Sequence, residues 1–192
     1  MTTSRLEAFS DGVIAVIITV MVLELKAPLG SSLHDLRPLL PNFLIYALSF
    51  QVVGTYWNNH HHLLRATKVI DANVMWFNLL LLFFISLIPF FTSWFGEHPT
   101  AKGPTAAYGT ILFAGGVGYF LLLRAIVAAD KMNTKLRKAV GNDRKGKISI
   151  LSYLAAILLT FVSPWIAITI YVLVALTWFI PDKRLEPISP EG

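Results

Sequence analysis

The chain has 192 residues, of which 55% are hydrophobic, 14% are charged and none is cysteine, and its formal net charge is +5. A soluble domain has about 25% charged residues, so this composition predicts an integral membrane protein. It excludes a disordered chain, a disulfide-stapled secreted fold and a thiolate metal site. The basic residues lie between long apolar runs, which argues against a nucleic-acid partner.

The first predicted helix covers residues 6–25 and is unusual for a membrane span. Asp11 lies one turn inside its start and Glu24 lies near its end, so its uncharged part runs only from Gly12 to Leu23. This part is about 18 Å long, which is short against about 30 Å of hydrocarbon. We expect its acidic ends to be buried against protein or an aqueous cavity. A signal peptide is the alternative, but no small-residue cleavage site follows the helix.

Three further spans follow from apolar runs that are long enough to cross a bilayer. They are predicted over residues 39–62, 72–95 and 106–129. The next segment, residues 130–147, is predicted as a basic loop. Contact with anionic lipid headgroups is one interpretation of its charge, but the positive-inside bias alone explains its composition.

The last apolar stretch, residues 148–180, would form about 50 Å of helix, which is too long for one straight span. Ser163-Pro164 lies at its centre, and the residue before a proline disfavours helix. Two short spans over residues 148–163 and 165–180 are therefore predicted, with one kinked helix as the alternative. The chain, residues 1–192, is thus predicted as a single all-α domain of six transmembrane helices without an internal repeat.

The distribution of Lys and Arg predicts that both termini are cytoplasmic. With six spans and an inner N-terminus, the inner segments hold far more Lys and Arg than the outer segments, as the positive-inside rule requires. The return of the tail to the inner side depends on Lys183 and Arg184 alone.

Two polar clusters lie at the predicted inner membrane face. One contains Arg5, Ser10 and Asp11 on the first span, and the other is the Asn-Asn-His-His-His segment at residues 58–62 of the second. Because both lie at the same membrane level, we expect Asp11 to accept a hydrogen bond from a histidine while Arg5 neutralises the remaining charge. Polar groups placed among lipid headgroups are the alternative interpretation, particularly for the last two histidines.

Metal and catalytic sites are both disfavoured by the spacing of the residues. His60, His61 and His62 are consecutive, and consecutive side chains on a helix point about 100° apart, so they do not converge on one ion. No Ser or Cys nucleophile pairs with a base at a suitable spacing. We therefore predict no metal ligand set, no catalytic residue, no cofactor and no enzyme activity.

One face of the first span has residues at helical spacing, namely Phe9, Val13, Val16, Thr19 and Leu23. Such a stripe is often a surface that packs against other helices. On a helix too short for lipid, it also fits a symmetry axis where identical copies surround an aqueous path. A ring of Thr19 hydroxyls would then contact a partly dehydrated ion, and Glu24 would attract cations to the outer mouth.

Three stretches of the sequence resemble the lysosomal potassium channel family, transmembrane protein 175. They are an RxxxFSD signature at Arg5–Asp11, a tryptophan–histidine motif at Trp57–His61 and an asparagine-to-proline run at Asn78–Pro89. The resemblance implies a six-helix subunit without a pore loop and with cytosolic termini. A chain with one repeat is similar to the prokaryotic members, which assemble as homotetramers with the first helix at the axis.

The resemblance also implies a function, a potassium-permeable cation channel in the plasma membrane of a prokaryote, with potassium ions and membrane lipids as partners. In the family the first helices line the pore, and its constriction falls here on Val16, Thr19, Val20 and Leu23. The family's polar network beside the pore falls on Arg5, Phe9, Ser10, Asp11 and His60. The sequence departs from the family pattern at Val16 and Val20, where many relatives carry isoleucine or leucine.

Two other functions are compatible with the same residues. A proton-coupled secondary transporter would use Asp11 and His60 as a titrating relay, because histidine changes charge near neutral pH. Against it, the chain has no inverted repeats and no pair of helices broken by Gly or Pro. The other is a structural membrane scaffold without transport activity.

Overall fold

A computed structural model describes residues 2–141 and 143–179, and these residues form only helices and connecting segments. The α-helices in chain order are α1 Thr3–Leu23, α2 Leu40–Arg65, α3 Ala72–Ser86, α4 Ile88–Glu97, α5 Lys102–Ala129, α6 Thr134–Gly141, α7 Arg144–Thr160 and α8 Pro164–Thr177. A 3-10 helix, Leu33–Leu39, leads directly into α2.

Four stretches of the described residues are long and apolar enough to cross a membrane. They are Thr3–Leu23, Leu33–Arg65, Ala72–Glu97 and Lys102–Ala129. α8 is apolar but has only 14 residues, and α7 has 17 residues. The helical content and the four long apolar stretches confirm the all-α membrane protein that composition predicts.

The structure contains more helix than predicted in two segments. α2 continues to Arg65, so the polar cluster at residues 58–62 is helical throughout. The segment predicted as a loop, residues 130–147, contains the short helix α6.

The third predicted span, residues 72–95, is interrupted in the structure. α3 ends at Ser86, and α4 begins after Leu87 and continues to Glu97. Pro89, in the first turn of α4, has no N–H group to donate to the carbonyl oxygen of Ile85, so the regular hydrogen bonding of the helix cannot continue there. The interruption lies between two helices that both contact α1.

The last apolar stretch forms two separate helices in the structure. Ser163 has an extended backbone (φ −153°, ψ 125°), and Pro164 begins α8. Trp178, just after α8, donates from Nε1 to Ser149 Oγ of α7 at 3.0 Å. Lys145 Nζ, in the first turn of α7, lies 4.5 Å from the centroid of the Trp178 ring. Because the end of α8 contacts the start of α7, the two helices form an antiparallel hairpin.

The remaining sequence predictions for this end of the chain lie outside the described residues. They are the helix end at residue 180 and the basic residues Lys183 and Arg184 of the tail.

α5 packs against α3, α4, α7 and α8 and forms the centre of the subunit. A Cβ added at Gly118 would lie 3.2 Å from Leu81 Cα in α3, and a Cβ added at Gly109 would overlap the Tyr171 hydroxyl of α8. That hydroxyl donates to the carbonyl oxygen of Thr105 at 3.1 Å. Small residues thus let the helix backbones approach closely, which is the usual way to pack helices in a bilayer.

Candidate functional site

α1 has one face that is buried in the subunit. Its buried side chains recur at helical spacing: Leu6, Ser10, Ile14, Ile17 and Met21. They pack against α2, α3 and α4, the helices that α1 contacts. α1 is therefore attached to the rest of the subunit along a single stripe, which leaves its other face open.

The open face of α1 carries the residues that the sequence predicts as a constriction. Val16 is 59% exposed, Val20 is 39% exposed and Leu23 is 79% exposed, and Thr19 is also exposed. The Thr19 hydroxyl donates to the carbonyl oxygen of Val16 at 2.8 Å, so its oxygen keeps lone pairs for a cation. We call Val16, Thr19, Val20 and Leu23 the open stripe.

Two adjoining grooves lie beside the open stripe. One has a volume of about 570 Å³ and is lined in part by Val16, Ser86 and Pro89. The second has a volume of about 510 Å³, and Ser86, Glu24 and Glu97 are among its lining residues. The interruption between α3 and α4 therefore forms one wall of a concave surface next to α1.

The end of α1 near Glu24 is joined to the end of α4 by an ion pair. Lys26 Nζ lies 2.6 Å from Glu97 Oε1. The hydrogen bond to Glu97 and the charge of its carboxylate raise the pKa of Lys26 above the usual value. Both side chains are exposed, so the pair adds little stability. Its main effect is to neutralise one of the two carboxylates that line the second groove, so that Glu24 carries most of the negative charge there.

A buried network joins α1, α2 and α3 toward the opposite end of α1. His60 Nε2 lies 2.6 Å from Asn78 Oδ1, and Asn78 Nδ2 donates to Ser10 Oγ at 3.0 Å. The Ser10 hydroxyl donates to the carbonyl oxygen of Leu6 at 2.8 Å. The three polar side chains are fully buried. Since an amide oxygen only accepts, this network requires the His60 proton on Nε2.

Acidic side chains of α1 make a second set of contacts with α2. Asp11 Oδ1 accepts a hydrogen bond from Trp57 Nε1 at 3.1 Å. Glu7 Oε1 lies 2.8 Å from His61 Nδ1 and 3.9 Å from Arg65 Nε. The hydrogen bond that we expected between Asp11 and a histidine is therefore made with Trp57, and the acidic partner of a histidine is Glu7.

The predicted polar network is thus only partly assembled within one subunit. Ser10 and His60 are not hydrogen-bonded to each other, and each is hydrogen-bonded to Asn78. Arg5 is exposed, and Phe9 is 48% exposed. Neither of these two side chains takes part in the buried hydrogen bonds around Asn78.

Sequence reasoning missed the roles of Glu7 and Asn78. α3 contains two asparagines, Asn73 in its first turn and Asn78 among apolar residues in its middle, and a polar residue within an apolar run is a signal for a buried partner. Glu7 precedes Asp11 by one helical turn, so both carboxylates lie on the same face of α1. That spacing was readable in the sequence, but the partner on α2 was not.

The first half of the chain matches a known family model. Residues 5–89 match the family described as endosomal/lysosomal potassium channel TMEM175. A potassium channel of Chryseobacterium sp. (strain P1-3) is 50% identical over 192 residues, which are 100% of both chains. The endosomal/lysosomal proton channel TMEM175 of Rattus norvegicus is 32% identical over 114 residues, 52% of this chain and 23% of that protein.

The fold is also similar to a solved structure. The crystal structure of a lysosomal potassium-selective channel TMEM175 homolog from Chamaesiphon minutus superimposes with a TM-score of 0.83 and 27% sequence identity. The match covers 94% of this chain and 97% of that chain. Similarity therefore extends well beyond the residues matched by the family model. The motifs of the first three spans, the fold and the full-length relative together establish that this chain belongs to the TMEM175 family.

Proposed function

We propose that the chain is one subunit of a potassium channel and that α1 lines its ion path. The main support is the open stripe, which leaves apolar side chains and one hydroxyl exposed on a helix whose ends carry acidic residues. Such a helix is costly in lipid, so it requires a protein or aqueous neighbour. The full-length relative from Chryseobacterium is named a potassium channel, which supports the same ion for this chain.

A single subunit cannot enclose a path around one helix, so the proposal requires several copies. We propose a homotetramer in which four α1 helices surround the axis. The grooves beside the open stripe support this arrangement, because they are concave, mostly apolar and adjacent to α1. A neighbouring α1 that enters these grooves would cover the apolar surface and bring the open stripes together.

The proposed subunit crosses the membrane six times, through α1, α2, α3 with α4, α5, α7 and α8. α7 and α8 would each span about 20–25 Å, so local thinning or the adjoining residues must complete the crossing. Trp165 at the start of α8 and Trp178 after its end fit the two interfaces. The basic residues before and within α7 fit the cytoplasmic side. Both termini are then cytoplasmic, and the membrane is the plasma membrane of a prokaryote.

Conduction in this arrangement is passive. A potassium ion would lose part of its hydration shell at the successive rings formed by Val16, by Val20 and by Leu23, which offer no polar ligand. The Thr19 hydroxyls would offset part of this cost because their oxygens accept the cation. Glu24 would raise the local cation concentration at the outer mouth.

The buried network around Asn78 holds α1 in position at its buried face. Its hydrogen bonds attach Ser10 of α1 to His60 of α2 through α3. These residues lie on the buried side of α1, so they act by positioning the open stripe and not by contact with the ion. A shift of α1 would change the width of the path at every ring of the stripe.

The transporter hypothesis receives less support from the same geometry. Its relay requires Asp11 and His60 to exchange a proton, but Asp11 is bonded to Trp57 and His60 is bonded to Asn78. The two groups therefore have separate partners in the subunit.

We expect purified protein in liposomes to carry potassium down its gradient at a rate well above that of empty vesicles. The measurement is potassium efflux with the membrane potential clamped by a protonophore. Absence of flux above the empty vesicles contradicts the channel. In separate vesicles without the protonophore, potassium accumulation against its electrochemical gradient, driven by an imposed pH difference, would favour the proton-coupled transporter.

We expect Lys26→Gln to increase potassium flux at low ionic strength. The substitution releases the Glu97 carboxylate from its partner and makes the outer groove more acidic, which attracts cations. The increase should vanish at about 1 M salt, where the screening length is about 3 Å. Equal flux for both proteins at every salt concentration contradicts a role of this groove in cation entry. His34→Gln, an exposed substitution in the segment between α1 and α2, is the matched control.

A further inference from the structure

The ends of α1 and α2 bring together three side chains that can bind metal. A ligand atom from each of Glu7, Asp11 and His61 lies within 4.8 Å of the other two. The carboxylates come from one helix and the imidazole comes from the other. Sequence spacing excluded a site made of the three consecutive histidines, and this cluster uses only one of them.

The orientation of His61 distinguishes the cluster from an ordinary ion pair. His61 Nδ1 lies 2.8 Å from Glu7 Oε1. It nevertheless makes no well-directed hydrogen bond, and the nitrogen itself is buried. Because no hydrogen bond occupies this nitrogen, its lone pair is available to a cation that it would share with the nearby carboxylates.

The dimensions of the cluster suit a transition metal. With bonds of about 2.0–2.2 Å to nitrogen and oxygen, two ligands of a tetrahedral ion lie about 3.4 Å apart. The cluster needs only small side-chain rotations to reach that separation. A nitrogen ligand favours zinc or another late first-row dication over magnesium and calcium, which prefer oxygen.

The surroundings of the cluster both support and oppose a cation. Trp57 donates to Asp11 Oδ1 and stacks on the His61 ring, with ring centroids 5.9 Å apart, so it orients two of the ligands. Glu7 and His61 have 20% and 24% of their side-chain surface exposed, which leaves access from water. Arg65 Nε lies 3.9 Å from Glu7 Oε1 and opposes a second positive charge.

We propose that Glu7, Asp11 and His61 form a binding site for a divalent transition metal that links α1 to α2 at the end of α1 opposite Glu24. The bound ion replaces any proton on His61 Nδ1 and bridges the two helices. Because α1 carries the open stripe, occupation of the site restrains the ion path and lowers potassium flux. This last consequence rests on the proposed function, whereas metal binding does not.

Binding of zinc to tag-free protein in detergent, followed by isothermal titration calorimetry, tests the site without any measurement of flux. We expect one high-affinity zinc ion per chain and a weakening of at least about tenfold in Glu7→Gln and in His61→Asn. Arg65→Gln should bind zinc several-fold more tightly, because it removes the opposing charge. His98→Gln, which removes an exposed histidine elsewhere, should bind as the unmodified chain does.

The opposite results overturn the proposal. They are no zinc binding by the unmodified chain, unchanged affinity in Glu7→Gln, or unchanged or weaker affinity in Arg65→Gln. Misfolding can explain a loss of zinc binding but not a gain. The higher affinity expected for Arg65→Gln therefore tests the site independently of variants that lose binding. If zinc binds as expected but liposomes show no potassium flux, the site stands and the proposed channel function fails.

Discussion

Asn78→Leu should lower the free energy of unfolding by about 1–3 kcal/mol for each buried polar group that it leaves without a partner. His60 Nε2 loses its bond to Asn78 Oδ1, and both side chains are fully buried. Ser10 loses one bond but keeps the one to the Leu6 carbonyl oxygen. Leucine leaves no cavity, but its methyl groups need more room than the hydrogen-bonded amide, so overpacking adds to the loss of the hydrogen bonds. Unfolding of the protein in mixed micelles, followed by circular dichroism, measures the change.

An exposed asparagine on the same helix provides the control. Asn73 lies near the start of α3 and is exposed, so Asn73→Leu should change the free energy of unfolding by less than about 0.5 kcal/mol. Equal stability of Asn78→Leu and the unmodified chain would mean that the network does not hold α1 in place. Because Ser10 belongs to α1, we also expect Asn78→Leu to alter potassium flux.

Leu23→Ala and Val16→Ala should each raise potassium flux several-fold and lower the ratio of potassium to sodium flux. Both side chains are largely exposed in the subunit, so truncation removes little contact within one chain. In the proposed tetramer the same truncation occurs in four copies around one axis and widens the apolar ring. A wider ring removes less water from the ion. Because hydrated potassium and sodium differ less in size than the bare ions do, selectivity falls.

A leucine with similar exposure on another helix is the control for effects of truncation that do not depend on the ion path. Leu158 of α7 is 65% exposed, and Leu158→Ala should leave flux and selectivity unchanged. Liposome flux measured for potassium and for sodium under identical gradients gives both quantities. If Leu23→Ala and Val16→Ala behave like Leu158→Ala, neither residue lies at a constriction.

The class of protein and most of its helices could be predicted from the sequence, because bilayer thickness sets a minimum length for an apolar helix. The break at Ser163-Pro164 was also predictable, since proline acts on its neighbours through local geometry alone. The interruption at Leu87 also follows from a proline, Pro89. It was not predicted because the sequence is apolar on both sides and resembles one continuous span. The prediction of a potassium channel rather than an enzyme is confirmed by the family to which the chain belongs.

The site was predicted less completely because its contacts join different helices. Sequence spacing relates residues on one helix, so it selected the open stripe but did not pair Glu7 with His61 or Asn78 with Ser10. Whether an exposed stripe faces lipid, a partner or water depends on the assembly. Composition alone does not distinguish these surroundings, because leucine and valine fit both lipid and a dry constriction.

The position of α1 can be measured directly because the chain contains no cysteine. A single Thr19→Cys substitution, reconstituted in liposomes and treated with a charged, membrane-impermeant thiol reagent, reports whether this residue faces water in the ion path. Leu158→Cys is the control on the outer surface of the subunit. We predict that the reagent modifies Thr19→Cys and blocks its potassium flux while leaving Leu158→Cys unaffected. Potassium flux through Thr19→Cys that continues undiminished after treatment, with or without modification, would contradict an ion path lined by α1.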